Sequence, residues 1–214
     1  MTDIPVLFSA PMVRALLEGR KTMTRRLAWN LAGVGPEFPG KPARWQRVKP
    51  GDRLWVRERT MCVGVRDGEI KVSYDADDFT PEVWLPFPDR LKFNPKVGKR
   101  LSMGCYREAS RLTLIVETVK IERLQDISEA DAIAEGVLSW RDDWSQKQAA
   151  EMLLRGTEAS VETGAGSPAV RLFYLLWTSL HGREGWKANP EIVAISFRVI
   201  KSNIDSAEAR AAQF

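Results

Sequence analysis

Two β-branched stretches of alternating polarity restrict the fold most: SRLTLIVETVKIER at 110–123 and the run Ile192 to Ile200. Strands that half-bury one face carry this period-2 pattern. Four further runs read as strands. Ile4 to Ser9 is short and apolar. Arg53 to Glu58 puts Leu54, Val56 and Glu58 on one side and Arg53, Trp55 and Arg57 on the other. Met61 to Val65 and Ile70 to Tyr74 flank an Arg66-Asp67-Gly68 turn and read as a hairpin. A polar break at Glu117-Thr118 is expected to bend the 110–123 stretch into two strands. Strands dominate, their connections are long, and no strand–helix–strand alternation links them. The pattern predicts an α+β fold, a small mixed barrel with helices around it, and argues against a doubly wound sheet.

The helices are few and punctuated. Pro11 stands where a helix can begin, Met12, Val13, Leu16 and Leu17 follow at helical spacing, and Gly19 is placed to end it. Ser128-Glu129-Ala130-Asp131 has the form of a capping box, opening a short helix from Glu129 to Glu135 that stops at Gly136. Further helical stretches are predicted at about 145–154 and from Ala169 to Leu180, the latter with Leu172, Phe173, Leu176 and Trp177 as its core stripe. Gly- and Pro-rich segments at about 30–50, 76–105 and 138–168 read as insertions in a single domain over residues 1–201. The polar, Ala-rich tail at 202–214 reads as frayed.

Between the first helix and the next strand lies the densest polar segment, Gly19-Arg20-Lys21-Thr22-Met23-Thr24-Arg25-Arg26. If extended, it places Thr22, Thr24 and Arg26 on one side and Lys21, Met23 and Arg25 on the other. A bend is needed to bring Lys21 and Thr24 together. Positive charge collects around it. Residues 14–59 hold Arg14, Arg20, Lys21, Arg25, Arg26, Lys41, Arg44, Arg47, Lys49, Arg53, Arg57 and Arg59, against only Glu18, Glu37, Asp52 and Glu58. The net charge of +4 favours polyanions. The segment therefore reads either as a solvated basic turn or as a nucleotide-facing wall.

Other chemistries lose their ligands. Two cysteines, Cys62 and Cys105, make neither a disulfide framework nor a metal site, and one histidine, His181, leaves no Ser-His-Asp set. No metal or cofactor is expected. The start, MTDIPVLFSAP, lacks a basic leader region, and no apolar run reaches the roughly 18 residues of a membrane span. A cytosolic chain with reduced cysteines and no membrane partner is the expectation. Glu58, on the apolar side of its strand, needs either a charge partner or solvent.

Four segments, PVLFSAPMVRALLEGRKTMTRR, KPGDRLWVRE, ASRLTLIVETVKIERLQDISEADAIAEGV and NPEIVAISFRVI, resemble the ASCH domain family of the PUA-like superfamily, in the form found in phage and prophage proteins. The most diagnostic part is Gly19-Arg20-Lys21-Thr22-x-Thr24-x-Arg26, in combination with Gly51-Asp52 and the helix reaching Glu135. The resemblance implies a PUA-like β-barrel with flanking helices and a cleft for RNA or modified nucleotides. A small bacterial branch removes the acetyl group of N4-acetylcytidine with a Lys, a Thr and a Glu, which fall on Lys21, Thr24 and Glu135. Other members bind nucleic acid or cut single-stranded RNA. This chain is about twice the length of the small hydrolases, and the segments near 30–50 and 76–105 are extra.

The three residue types make chemical sense together. A threonine hydroxyl needs a base to become nucleophilic. A lysine serves as that base once burial or nearby cations lower its pKa. A glutamate can protonate the leaving nitrogen and then activate water. With the amidohydrolase as the alternative, the main expectation is a module that binds RNA, DNA or a modified nucleoside in a basic cleft. Its anion contacts would be Arg20, Arg25, Arg26, Arg57 and the loop cations Lys41, Arg44, Arg47 and Lys49, with Trp45 or Trp55 stacking on a base. Asp75, Asp77 and Asp78 read as a solvated loop, with a nuclease metal cluster as the alternative.

Overall fold

The computed structural model describes residues 2–30, 40–78, 82–87, 95–101, 105–137 and 167–212. In chain order the elements are β1 (Asp3–Leu7), α1 (Ala10–Leu17), β2 (Met23–Leu27), β3 (Arg53–Arg57), β4 (Thr60–Arg66), β5 (Glu69–Tyr74), β6 (Val83–Pro86), β7 (Thr113–Arg123), α2 (Glu129–Ala134), α3 (Pro168–Lys187), β8 (Glu191–Ile200) and α4 (Ala207–Ala211). Two compact units emerge. One comprises Met1–Glu18, Gly51–Val116 and Arg198–Phe214, the other Gly19–Pro50 and Glu117–Phe197. The α+β class expected from the sequence is what forms. The sheets are open, and none closes into a barrel among the described residues. The helical stretch predicted at 145–154, and much of the expected insertions, lie outside those residues.

In the first unit, β1 runs parallel to β3, with Ile4 opposite Leu54 and Val6 opposite Val56. The other edge of β3 pairs antiparallel with the start of β7. Val6, Leu54, Val56 and Leu114 are buried, as their alternation requires. Helix α1 turns Met12, Val13 and Leu16 inward. Gly19, at φ +75°, follows α1 in the left-handed conformation that a C′ glycine supplies cheaply. The hairpin β4–β5 turns at Asp67-Gly68, and β6 adds a third strand. Cys62, Ile70, Val72, Tyr74, Cys105 and Tyr106 form the core beneath it.

Glu58 has the partner its position demands. It is buried, and Arg111 grips it through both carboxylate oxygens at 2.8 and 3.0 Å. Arg111 also binds Asp77, and Asp75 lies 3.6 Å from Arg59. The tail corrects the expectation of fraying. Ile204 and Ala209 are fully buried, and Asn203 Nδ2 donates to the carbonyls of Arg107, Glu108 and Ser110. Asp205 accepts two hydrogen bonds from Arg107. These apolar and polar anchors are scattered singly through a polar run, so the segment's average composition hides them.

In the second unit, the sheet runs β7-β8-β2, with Thr24 opposite Ile195 and Arg26 opposite Val193. The polar break at Glu117-Thr118 does not divide the stretch into two strands. β7 is one strand, contributing Thr113–Val116 to the first unit and the rest to the second. Its buried run ends at Val116 and exposure begins at Glu117. The break in polarity marks a change of surroundings, while the backbone stays extended. Ser128 caps α2 by accepting from the Asp131 N–H at 3.1 Å. α3 buries Leu172, Phe173, Leu176 and Trp177 and continues past the expected end at Leu180, kinking at Gly182 (φ +74°).

Candidate functional site

The Gly19 turn brings Lys21 and Thr22 against the C-terminal end of α2. The Thr22 N–H donates to the Ala134 carbonyl at 2.9 Å. Lys21 Nζ donates to the Glu135 carbonyl at 2.9 Å and to Glu135 Oε2 at 2.7 Å. Carbonyls at a helix end lack partners within the helix, and a cation there satisfies them. Lys21 is 1% exposed and Glu135 3%. Burial, the strongest influence on Lys21, pulls its pKa below the ordinary 10.5. Glu135 opposes that shift, and Arg26 and Arg25 add to it.

Strand β2 supplies the other groups through its alternation. Thr24 is fully buried, and Arg26 Nη1 donates to its Oγ1 at 2.7 Å. That is the one hydrogen bond of the Thr24 side chain among the described residues, so the hydroxyl proton has no acceptor there. On the opposite side Arg25 Nη2 donates to Glu122 Oε1 and Asp131 Oδ2, both at 2.8 Å, and Nη1 lies 3.5 Å from Glu135 Oε1. Glu135 Oε1 is buried and receives no hydrogen bond. Arg25 Nε is likewise buried without a hydrogen-bond partner among the described residues. Arg26 holds the Thr24 hydroxyl, and its charge adds to the lowering of the Lys21 pKa.

A cationic face lies beside this interior. Arg26 sits over the Trp45 ring at 5.6 Å and Arg44 over the same ring at 4.4 Å. Arg44 and Arg47 are exposed and Trp45 is half-buried. His181 stacks on Trp177, the ring centroids 4.2 Å apart, and burial and then the Arg26 charge hold it below its ordinary 6.5.

The second unit therefore holds Lys21, Thr24, Arg25, Arg26 and Glu135 together. Arg20 belongs to the same unit and is half-buried. Arg57 and Trp55 belong to the first unit, where Arg57 donates to the Cys105 carbonyl at 3.3 Å and lies 5.8 Å from the Trp55 ring. Arg25 is 3% exposed, and its guanidinium is held by the carboxylates of Glu122 and Asp131. Sequence reasoning missed Glu122 and Asp131. A signal for Asp131 existed, since Asp131 and Glu135 stand four apart and share a face of α2. Glu122 had none, because only the pairing of distant strands brings β7 to Arg25.

No family model, curated protein or solved structure matches the chain.

Proposed function

We propose that the chain is a PUA-like protein of the ASCH type that removes the acetyl group of N4-acetylcytidine or a closely related N-acyl nucleoside. The observation that carries this reading is the buried 2.7 Å pairing of Lys21 with Glu135, on the segment that also carries the buried Thr24 hydroxyl held by Arg26. Two buried ionisable groups of opposite sign, one with a lowered pKa, can exchange a proton and become neutral together.

In the proposed reaction the proton moves from Lys21 to Glu135 along their hydrogen bond. Thr24 Oγ1 attacks the acyl carbonyl carbon, and the neutral Lys21 takes the hydroxyl proton. The C–N bond breaks as Glu135 protonates the leaving nitrogen, and the nucleoside departs. The Glu135 carboxylate then deprotonates a water that attacks the acyl ester on Thr24. Acetic acid leaves as Lys21 returns its proton to Thr24 Oγ1, and Glu135 passes the proton it took from water back to Lys21, restoring the pair. Each acid–base step contributes on the order of 10²- to 10⁴-fold in rate.

The test is acetate release from N4-acetylcytidine by the full chain. Thr24→Ala and Lys21→Ala should abolish release, while Thr24→Ser, which keeps a hydroxyl, should retain part of it. Unchanged release in Thr24→Ala sinks the assignment. Nucleic-acid binding without chemistry is the second reading, and the exposed cations Arg44 and Arg47 beside Trp45 favour it.

A further inference from the structure

Glu135 lies between two cations that meet different oxygens. Lys21 Nζ donates to Oε2 at 2.7 Å and to the Glu135 carbonyl at 2.9 Å, while Arg25 Nη1 lies 3.5 Å from Oε1. Arg25 is anchored where it stands. Its Nη2 donates to Glu122 Oε1 on β7 and to Asp131 Oδ2 on α2, each at 2.8 Å. Nη1 donates to Met23 Sδ at 3.2 Å, and the guanidinium lies 5.7 Å from the centroid of the Phe173 ring on α3. A planar fork with these three partners is held from turning. The charges around Glu135 are Lys21 from the turn before β2, Arg25 and Arg26 from β2, Asp131 one turn back on α2 and, beyond Arg25, Glu122 and Lys120 from β7. On α3, His181 feels the charge of Arg26.

A proton handed from Lys21 to Glu135 could sit on either carboxyl oxygen. A hydroxyl on Oε1 would set its hydrogen beside a guanidinium cation, whereas a hydroxyl on Oε2 donates to the neutral Lys21 amine. We propose that Arg25 is a positioning residue, held by Glu122 and Asp131 against Oε1 so that the proton exchanged with Lys21 stays on Oε2. The inference rests on the reading of Lys21 and Glu135 as a proton-exchanging pair and adds the residue that directs the exchange. The leaving nitrogen then takes its proton from Oε2, the oxygen that Lys21 holds. Arg25, 3% exposed, acts through Glu135 and not on the substrate.

The test uses the full chain and two readouts, the first of which needs no hydrolysis. Titration of the Lys21 amine is followed by NMR of isotope-labelled lysine, and steady-state acetate release from N4-acetylcytidine gives kcat and KM. Arg25→Gln removes the cation. Arg25→Gln with Asp131→Asn removes it together with a carboxylate, and this charge-balanced variant carries the test if the single one does not fold. In both, Lys21 should titrate at higher pH, because the Arg25 charge opposes its protonation. Their kcat should fall on the order of 10²-fold with KM changed less than about twofold. Arg25→Lys, which keeps the charge but not the fork, should leave the titration near wild type and recover part of kcat. A Lys21 titration that stays in place or moves down overturns the proposal, since Arg25 would then only tie α2 to the sheet. An unchanged kcat, or a loss confined to KM, overturns it as well. A wild type that releases no acetate removes the hydrolase reading, and the Lys21 titration alone then decides on Arg25. Acetate release that ignores Arg25 removes this inference alone.

Discussion

Lys21 Nζ and Glu135 Oε2 are 2.7 Å apart across 114 residues of chain, both side chains shielded from solvent. Each is the other's closest countercharge, so neither can be removed without leaving a buried group exposed to a low dielectric. This explains why the densest polar segment of the chain is folded inward.

Breaking that pair is expected to destabilise strongly. Lys21→Met or Glu135→Leu alone should cost about 3–5 kcal/mol, while the double variant should recover much of the loss by replacing two charges with apolar volume. Urea unfolding of the four proteins in the cycle gives the coupling. Additive single losses would show that the two side chains act independently.

The lowered pKa of Lys21 makes stability depend on pH with a definite sign. Between its folded value and the ordinary 10.5 the folded chain binds fewer protons than the unfolded one, so stability rises with pH across that window. The urea midpoint should climb toward pH 10.5 in the wild type and lose that part of the climb in Lys21→Met. Matching profiles would place the Lys21 titration at its unfolded value.

Acidification acts on Asp3 and Asp205 in the first unit and on Asp131 in the second. Burial pulls Asp3 up, but hydrogen bonds from Arg53 and Arg107 outweigh it and hold it below 3.8. A hydrogen bond from Arg107 leads in holding Asp205 below the same value. Carboxyls depressed in the fold stabilise fully above their unfolded pKa and lose that contribution as pH falls through the folded one. Thermal melting should drop on acidification below 3.8, and Arg107→Gln should flatten the drop. An equally steep drop in the variant assigns the acid limb to other carboxyls.

The tail should matter to stability. Ile204→Ala empties a fully buried site and is expected to cost about 2–5 kcal/mol. Asn203→Ala strips three carbonyls of their side-chain donor and should cost about 1–3 kcal/mol. Chemical denaturation that finds both variants equal to wild type would return the tail to the frayed state its composition suggests.

Much of the architecture was legible in the residues themselves. Period-2 alternation located β3 and β8, the Asp67-Gly68 turn joined β4 to β5, and Ser128 and Gly136 bracketed α2, because each is a local steric or hydrogen-bonding preference. Polarity alone suggests two strands meeting at Glu117-Thr118, but polarity reports surroundings, while backbone pairing decides where a strand ends.

For the site, the residues alone supply the inventory: two threonines among cations at Gly19–Arg26 and acids after Ser128. Which cation meets which acid depends on how the elements pack. The pairing of β2 with β8, and the packing of the Lys21 segment against α2, give Lys21 to Glu135, Arg25 to Glu122 and Asp131, and Arg26 to Thr24. Charge partners over about 100 residues apart are set by which strands and helices pack together, and that choice is made by the apolar residues between them. Arg25 and Arg26 are neighbours in sequence and chemically identical, yet the strand's alternation turns one toward buried carboxylates and the other toward Thr24 and Trp45.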